Sequence, residues 1–255
     1  MSFALSIAAA ALLEALRNRL LWLAGIVIGV ALGLAQFLNQ VAITESLQIQ
    51  LALLAAMLRL AAVFIVSTFI ITSMVREAND KVTELLLSQP APRSAYFFGK
   101  FAGYGLVGVV LAFLFSLPLA LFAPPGALLY WSASLACELL IMTAVSLFCV
   151  LSLTQVLSAF AATAGFYLLA RSMAAMQLIA SSPLVKDNTF VDDVVAQIVN
   201  AIALVLPALD RMTQTAWLTD AAPRAADFGL VLAQTAIYVL LIAAASLFDL
   251  YRKNF

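Results

Sequence analysis

A chain of 255 residues that is 65% hydrophobic and 10% charged, with mean hydropathy +1.09, cannot cover its apolar surface as a water-soluble domain. It reads as an all-α integral membrane protein. Its formal charge is zero, which gives no electrostatic reason to bind nucleic acid, and it has no histidine. That excludes His-ligated metal or haem and any Ser-His or Cys-His catalytic pair within the chain.

Taken in chain order, residues 3–19 predict a helix. Its charges, Glu14, Arg17 and Arg19, follow an apolar run instead of preceding it, unlike a cleavable signal peptide. Glu14 and Arg17 are three apart and so placed to pair. The helix (1–19 as a unit) is expected to lie along the inner membrane surface, or else to extend the first span inward. Six stretches then reach the roughly 20 apolar residues needed to cross a bilayer: 20–38, 51–75, 96–122, 131–153, 156–179 and 228–250.

Placing both termini in the cytoplasm puts Arg17, Arg19, Arg76, Lys81, Arg93, Lys100, Arg252 and Lys253 inside. Only Lys186, Arg211 and Arg224 fall outside, which is the asymmetry of the positive-inside rule. Pro124-Pro125-Gly126 predicts a short outer turn between spans three and four, and Thr154-Gln155 a tight inner turn between spans four and five. The long outer loop, 181–227, contains an apolar helix over 194–206, with Asp192-Asp193 as its cap. That helix is too short to span, and is expected to lie in the outer interface or to dip in re-entrantly and stop near Pro207. Cys137 and Cys149 lie roughly 18 Å apart along one helix, too far to bridge, and read as small buried hydrophobes.

Between spans two and three the apolar pattern breaks. Arg76, Glu77, Asp80, Lys81, Glu84, Arg93 and Lys100 gather in one cytoplasmic loop. Within it Val82, Leu85 and Leu86 recur at i, i+3 and i+4 and make one apolar face, with Asp80, Lys81 and Glu84 opposite. Pro90 and Pro92 end the helix. Such a helix is either a docking element for a soluble partner or a solvated loop.

Three charges fall inside predicted spans: Arg59, Glu138 and Arg171. Counted at 1.5 Å per residue, all three lie at similar depth, roughly 10–13 Å from the outer ends of their helices. An intramembrane charge is costly and usually paired. Glu138 is therefore expected to pair with Arg171 or Arg59, as a packing ion pair or as a gate. The hydroxyls of Ser67, Thr68, Thr72 and Ser73 are expected to bond locally, and Met173 and Met176 to fill apolar gaps. Gly25, Gly29 and Gly33 on span one, Gly99 and Gly103 on span three, and Ala161 and Gly165 on span five are small-residue faces. They suit close helix contact within one subunit or between two.

The run Glu84-Leu-Leu-Leu-Ser-Gln-Pro-Ala-Pro-Arg93, followed by Tyr96-Phe-Phe-Gly99-Lys100, resembles the signature of type-2 ABC exporter permeases. Leu206-Pro207-Ala-Leu209-Asp210-Arg211 is similar to a region of the branch associated with multicopper-enzyme and nitrous oxide reductase maturation. The resemblance implies a single transmembrane permease domain over 1–255, in a bacterial inner membrane. It implies a cytoplasmic coupling loop (76–95), whose 76–89 segment docks on an ATPase. Glu77, Asp80, Lys81, Glu84, Leu85, Leu86, Pro90 and Arg93 are its candidate contacts. The chain departs from the family in having Lys81-Val82-Thr83 where a Gly usually precedes Thr.

The implied partners are two ATPase subunits and a second permease copy, the latter meeting along spans one and five. No cofactor is implied for this chain, ATP and Mg belonging to the ATPase. The chain itself has no P-loop, because Gly99-Lys100 has Ser94 where the first Gly would stand. The expected function is ATP-driven export of a hydrophobic substrate. The alternatives are transmission of motion to a periplasmic partner and a secondary carrier. The last is disfavoured by a lone intramembrane carboxylate and by the lack of an interrupted-helix pair.

Overall fold

The computed structural model describes residues 3–41, 46–83, 92–181, 190–219 and 225–252. Among these the chain is helical, without strands. The elements are α1 (Phe3–Arg17), α2 (Leu20–Val41), α3 (Ser46–Asn79), α4 (Arg93–Ser116), α5 (Pro125–Leu153), α6 (Val156–Ser181), α7 (Phe190–Val205), α8 (Ala216–Thr219) and α9 (Ala225–Arg252). Short 3₁₀ turns follow α4 (Leu117–Leu121) and precede α8 (Leu209–Arg211). Six helices, α2 to α6 and α9, are long and apolar enough to cross a membrane.

Proline explains two boundaries that differ from the sequence expectation. Pro118 lacks an N–H and cannot continue the α-helical ladder, so span three tightens into the 3₁₀ turn after Ser116 instead of running on to residue 122. Pro125 opens α5 six residues before the expected start at 131, in the first-turn position where a missing N–H is harmless. At the other end of α5, Thr154 takes a left-handed φ of 57° and ends the helix, and α6 begins two residues later. The helix expected over 194–206 is α7, which runs Phe190–Val205, so positions 192 and 193 stand inside it and not before it.

The spans are not equivalent. Of the apolar window of α5, 78% is buried, against 22% for α2, 28% for α6 and 22% for α9. α5 is therefore the axis, packed on α3, α4, α6 and α9, and α2, α6 and α9 turn most of their surface outward.

α1 is set by packing. Arg19, with φ 52°, breaks the chain between α1 and α2, so α1 is not an inward extension of span one. It lies instead against the first half of α4. A Cβ on Gly99 would meet the Ala4 carbonyl oxygen at 2.9 Å, and one on Gly103 the Ala8 carbonyl oxygen and the Ala11 Cβ at 2.8 Å. The two helices advance one turn together across this contact, so they run in the same direction. Only glycine on α4 facing an alanine-rich α1 lets two backbones approach so closely.

Candidate functional site

Two polar clusters lie at opposite ends of the bundle. The first is built where the 3₁₀ turn Leu209–Arg211, in the loop between α6 and α9, enters between α3, α5 and α6. Leu209, Met212 and Thr213 of that loop are fully buried. Every polar atom of Thr213 is engaged. Its N–H donates to Ser134 Oγ at 3.0 Å, and its carbonyl accepts from Arg59 Nη1 at 3.1 Å. Its hydroxyl donates to Glu138 Oε2 at 2.8 Å. Arg171 Nη1 donates to the carbonyls of Leu209 and Met212, the latter at 3.0 Å.

Arg59, Glu138 and Arg171 thus converge on one loop residue, and their main partners are loop atoms. Glu138 Oε1 lies 3.9 Å from Arg171 Nη1, an electrostatic contact too long for a hydrogen bond. Arg59 touches the cluster through the Thr213 carbonyl. Two guanidiniums around one carboxylate also satisfy the carbonyls of a backbone that has left regular structure at membrane depth, which is where such backbone needs partners. Trp131, Ser134 and Glu138 share a face of α5, and Trp131 Nε1, Glu138 Oε1 and Arg59 Nε have no hydrogen-bond partner among the described residues. The arrangement is chemically a clamp on the loop.

The second cluster joins α1, α3 and α4 near the charged loop. Lys100 is buried and forms an ion pair with Glu77, its ammonium 5.4 Å from the centre of the Tyr104 ring. Glu14 does not turn to Arg17. It pairs with Arg76 and accepts the Ser73 hydroxyl hydrogen at 2.7 Å. That hydrogen being used, Tyr104 donates its own to Ser73 Oγ at 2.9 Å. Ser73 is therefore a tertiary contact, not a locally satisfied hydroxyl. Thr72 does bond locally, to the Thr68 carbonyl at 2.7 Å.

The candidate coupling residues divide accordingly. Glu77 faces the bundle. Arg93 Nη1 donates to the Leu250 carbonyl at 2.8 Å, a cation at the C-terminal end of α9. Ser152 reaches Asp249 Oδ2 at 2.8 Å beside it. Asp80 and Lys81 are exposed, and Lys81, with φ 56°, ends α3 in the left-handed conformation. Glu84, Leu85, Leu86 and Pro90 lie outside the described residues.

The small-residue faces divide too. Gly99 and Gly103 are filled by α1, whereas Gly25, Gly29, Gly33 and Gly165 have no atom within 4 Å of where a Cβ would stand. Ala161 is likewise exposed. Cys137 and Cys149 are free and buried. Among the described residues, no three Cys, Asp or Glu side chains come together as a metal site. The α1–α4 packing and the role of Thr213 were missed in the sequence. Ala4, Ala8, Ala11 and Ala15 at three- and four-residue spacing were the available signal for the first. No protein-family model matches the chain, and no curated protein matches it.

Proposed function

We propose that this chain is the permease subunit of an ATP-binding cassette transporter in a bacterial plasma membrane, with both termini in the cytoplasm. Two copies pair with two separate ATPase subunits, which bind and hydrolyse ATP with Mg. The observation that carries the reading is the binding together of the helix ends that flank the charged loop. Glu77–Lys100 and Ser73–Tyr104 join the end of α3 to the start of α4, and Arg93 joins α4 to the end of α9. A partner pressing on the segment between Lys81 and Arg93 would move three membrane helices as one body. The exposed Asp80 and Lys81 lead into that segment, and the motif resemblance falls on it.

The second reading, motion passed to a periplasmic partner without bulk transport, is favoured by the outer clamp. Arg59 lies on the same continuous helix as Ser73, Arg76 and Glu77, so α3 links the charged loop to the buried hairpin formed by residues 209–219, the 3₁₀ turn and α8. A tagged chain purified from its native membrane is expected to bring down a Walker-type ATPase. The same chain with residues 76–89 scrambled is expected not to. Recovery of no ATPase from either would move the weight to a carrier. ATP-driven uptake of a solute into vesicles separates export from transmission.

A further inference from the structure

One feature of the surface is used by neither cluster. Between the outer hairpin and α9 lies a groove of about 630 Å³, within the ~300–1,000 Å³ usual for small-molecule sites. Its two ends differ chemically. At the mouth stand Arg211, from the hairpin, and Asp227, from the first turn of α9; both are exposed and neither forms an ion pair among the described residues. Further along α9 the wall is mainly apolar, through Leu230, Val231, Ala233 and Ile237 with Gln234 the one amide among them, and it ends at Tyr238. From Asp227 to Tyr238 is eleven residues, about 16 Å of helix, close to half of the ~30 Å hydrocarbon thickness. The groove therefore begins at headgroup level and stops near the bilayer midplane, one leaflet deep. The pairing of Tyr130 with Phe228, ring centres 5.4 Å apart, holds the mouth of α9 on α5.

We propose that this groove is a binding site for a single zwitterionic phospholipid of the adjoining leaflet. One cation and one anion at the same level match a headgroup with one phosphate and one ammonium. Arg211 forks onto the phosphate and Asp227 takes the amine. An acyl chain follows Leu230 and Ile237 downward in a groove that the largely buried Trp217 also lines. A water-soluble ligand would leave the lower half of the groove unused, and a plain hydrocarbon would leave both charges unused. The inference does not depend on the ATPase pairing.

The test uses the full chain in phosphatidylglycerol nanodiscs containing a phosphatidylethanolamine probe with a photoreactive acyl chain. Labelling is expected to concentrate on residues 227–238 and on the hairpin. It should fall about fivefold in R211A and in D227A, each loss reflecting one surface charge contact. Free phosphoethanolamine should not compete, and a phosphatidylglycerol probe should label the groove less. Both variants alter exposed side chains, and unchanged thermal unfolding checks that they fold. Labelling spread over α2, α6 and α9 in proportion to exposure would overturn the proposal. So would equal labelling of the variants. Cross-linking of Q234C between two copies in native membranes would also overturn it, because a second copy would then cover the groove.

Discussion

Thr213 is held in a conformation that a β-branched residue avoids. Its φ of 49° costs about 1–3 kcal/mol and persists because four groups converge on it. Glu138 is the member whose loss should cost most. Gln in its place keeps an acceptor for the Thr213 hydroxyl but leaves two guanidiniums without a countercharge in a buried site. The expected loss is about 3 kcal/mol, a fall of roughly 6–12 °C in detergent unfolding. T213V keeps the shape and the strain but strips the donor from Glu138 Oε2, and should cost about 2 kcal/mol. Hydrogen exchange over residues 209–218 should rise in both variants. If E138Q unfolds at the native temperature yet loses turnover, the cluster is a gate and not a clamp. The common depth of Arg59, Glu138 and Arg171 was legible from helix rise, because depth is a one-dimensional quantity that residue counting supplies, whereas their meeting on a loop was not. Thr213 was not, since where a loop turns inward follows from packing and not from hydropathy.

At the scale of elements, glycine marks which helix faces are already filled. A Cβ at Gly103 meets backbone of α1 at 2.8 Å, one at Gly108 makes an ordinary 3.5 Å contact with Leu139, and one at Gly29 meets nothing. G103L should therefore push α1 off α4 at a cost of about 1–3 kcal/mol. Trypsin should then cut after Arg17 or Arg19 more readily. G108A should fold normally, and G29L should leave the unfolding of one subunit unchanged. Equal tryptic resistance of G103L and the native chain would mean that α1 is not packed as described. The six spans were legible because length and hydropathy decide them. The inward turn of Glu77 was not. It stands in the charged run beside Asp80, but α3 ends at Asn79, so Glu77 belongs to the last turn of the helix and Asp80 to the turn beyond it, and Lys100 waits on the adjoining span. The α1 contact was hidden because alanine at four-residue spacing is common in any apolar helix and names no partner.

For the whole molecule, the uneven burial of the spans decides where a second copy has room. α5 is enclosed, and α2 is bare along Gly25, Gly29 and Gly33, with Trp22 77% exposed one turn away. A groove over Leu21, Trp22, Gly25 and Ile26 lies between the bulky ring and the empty track. Two copies related by a two-fold axis along the membrane normal bring their α2 helices together at equal depth. Trp22 of each copy then faces the small residues of the other, a close contact of the kind that stabilises helices in lipid, where apolar burial alone offers little. G29C is expected to cross-link copy to copy in native membranes, and W22A to shift the protein toward monomer without lowering subunit stability. Cross-linking at Gly165→Cys with none at Gly29→Cys would place the axis on α6 instead. Failure at both positions, in a protein whose mass in detergent is that of one chain, would leave the ATPase pairing without the symmetric platform it needs. A lever at the charged loop transmits force only if it works against something fixed, and in the proposed permease a second copy would be that fixed point.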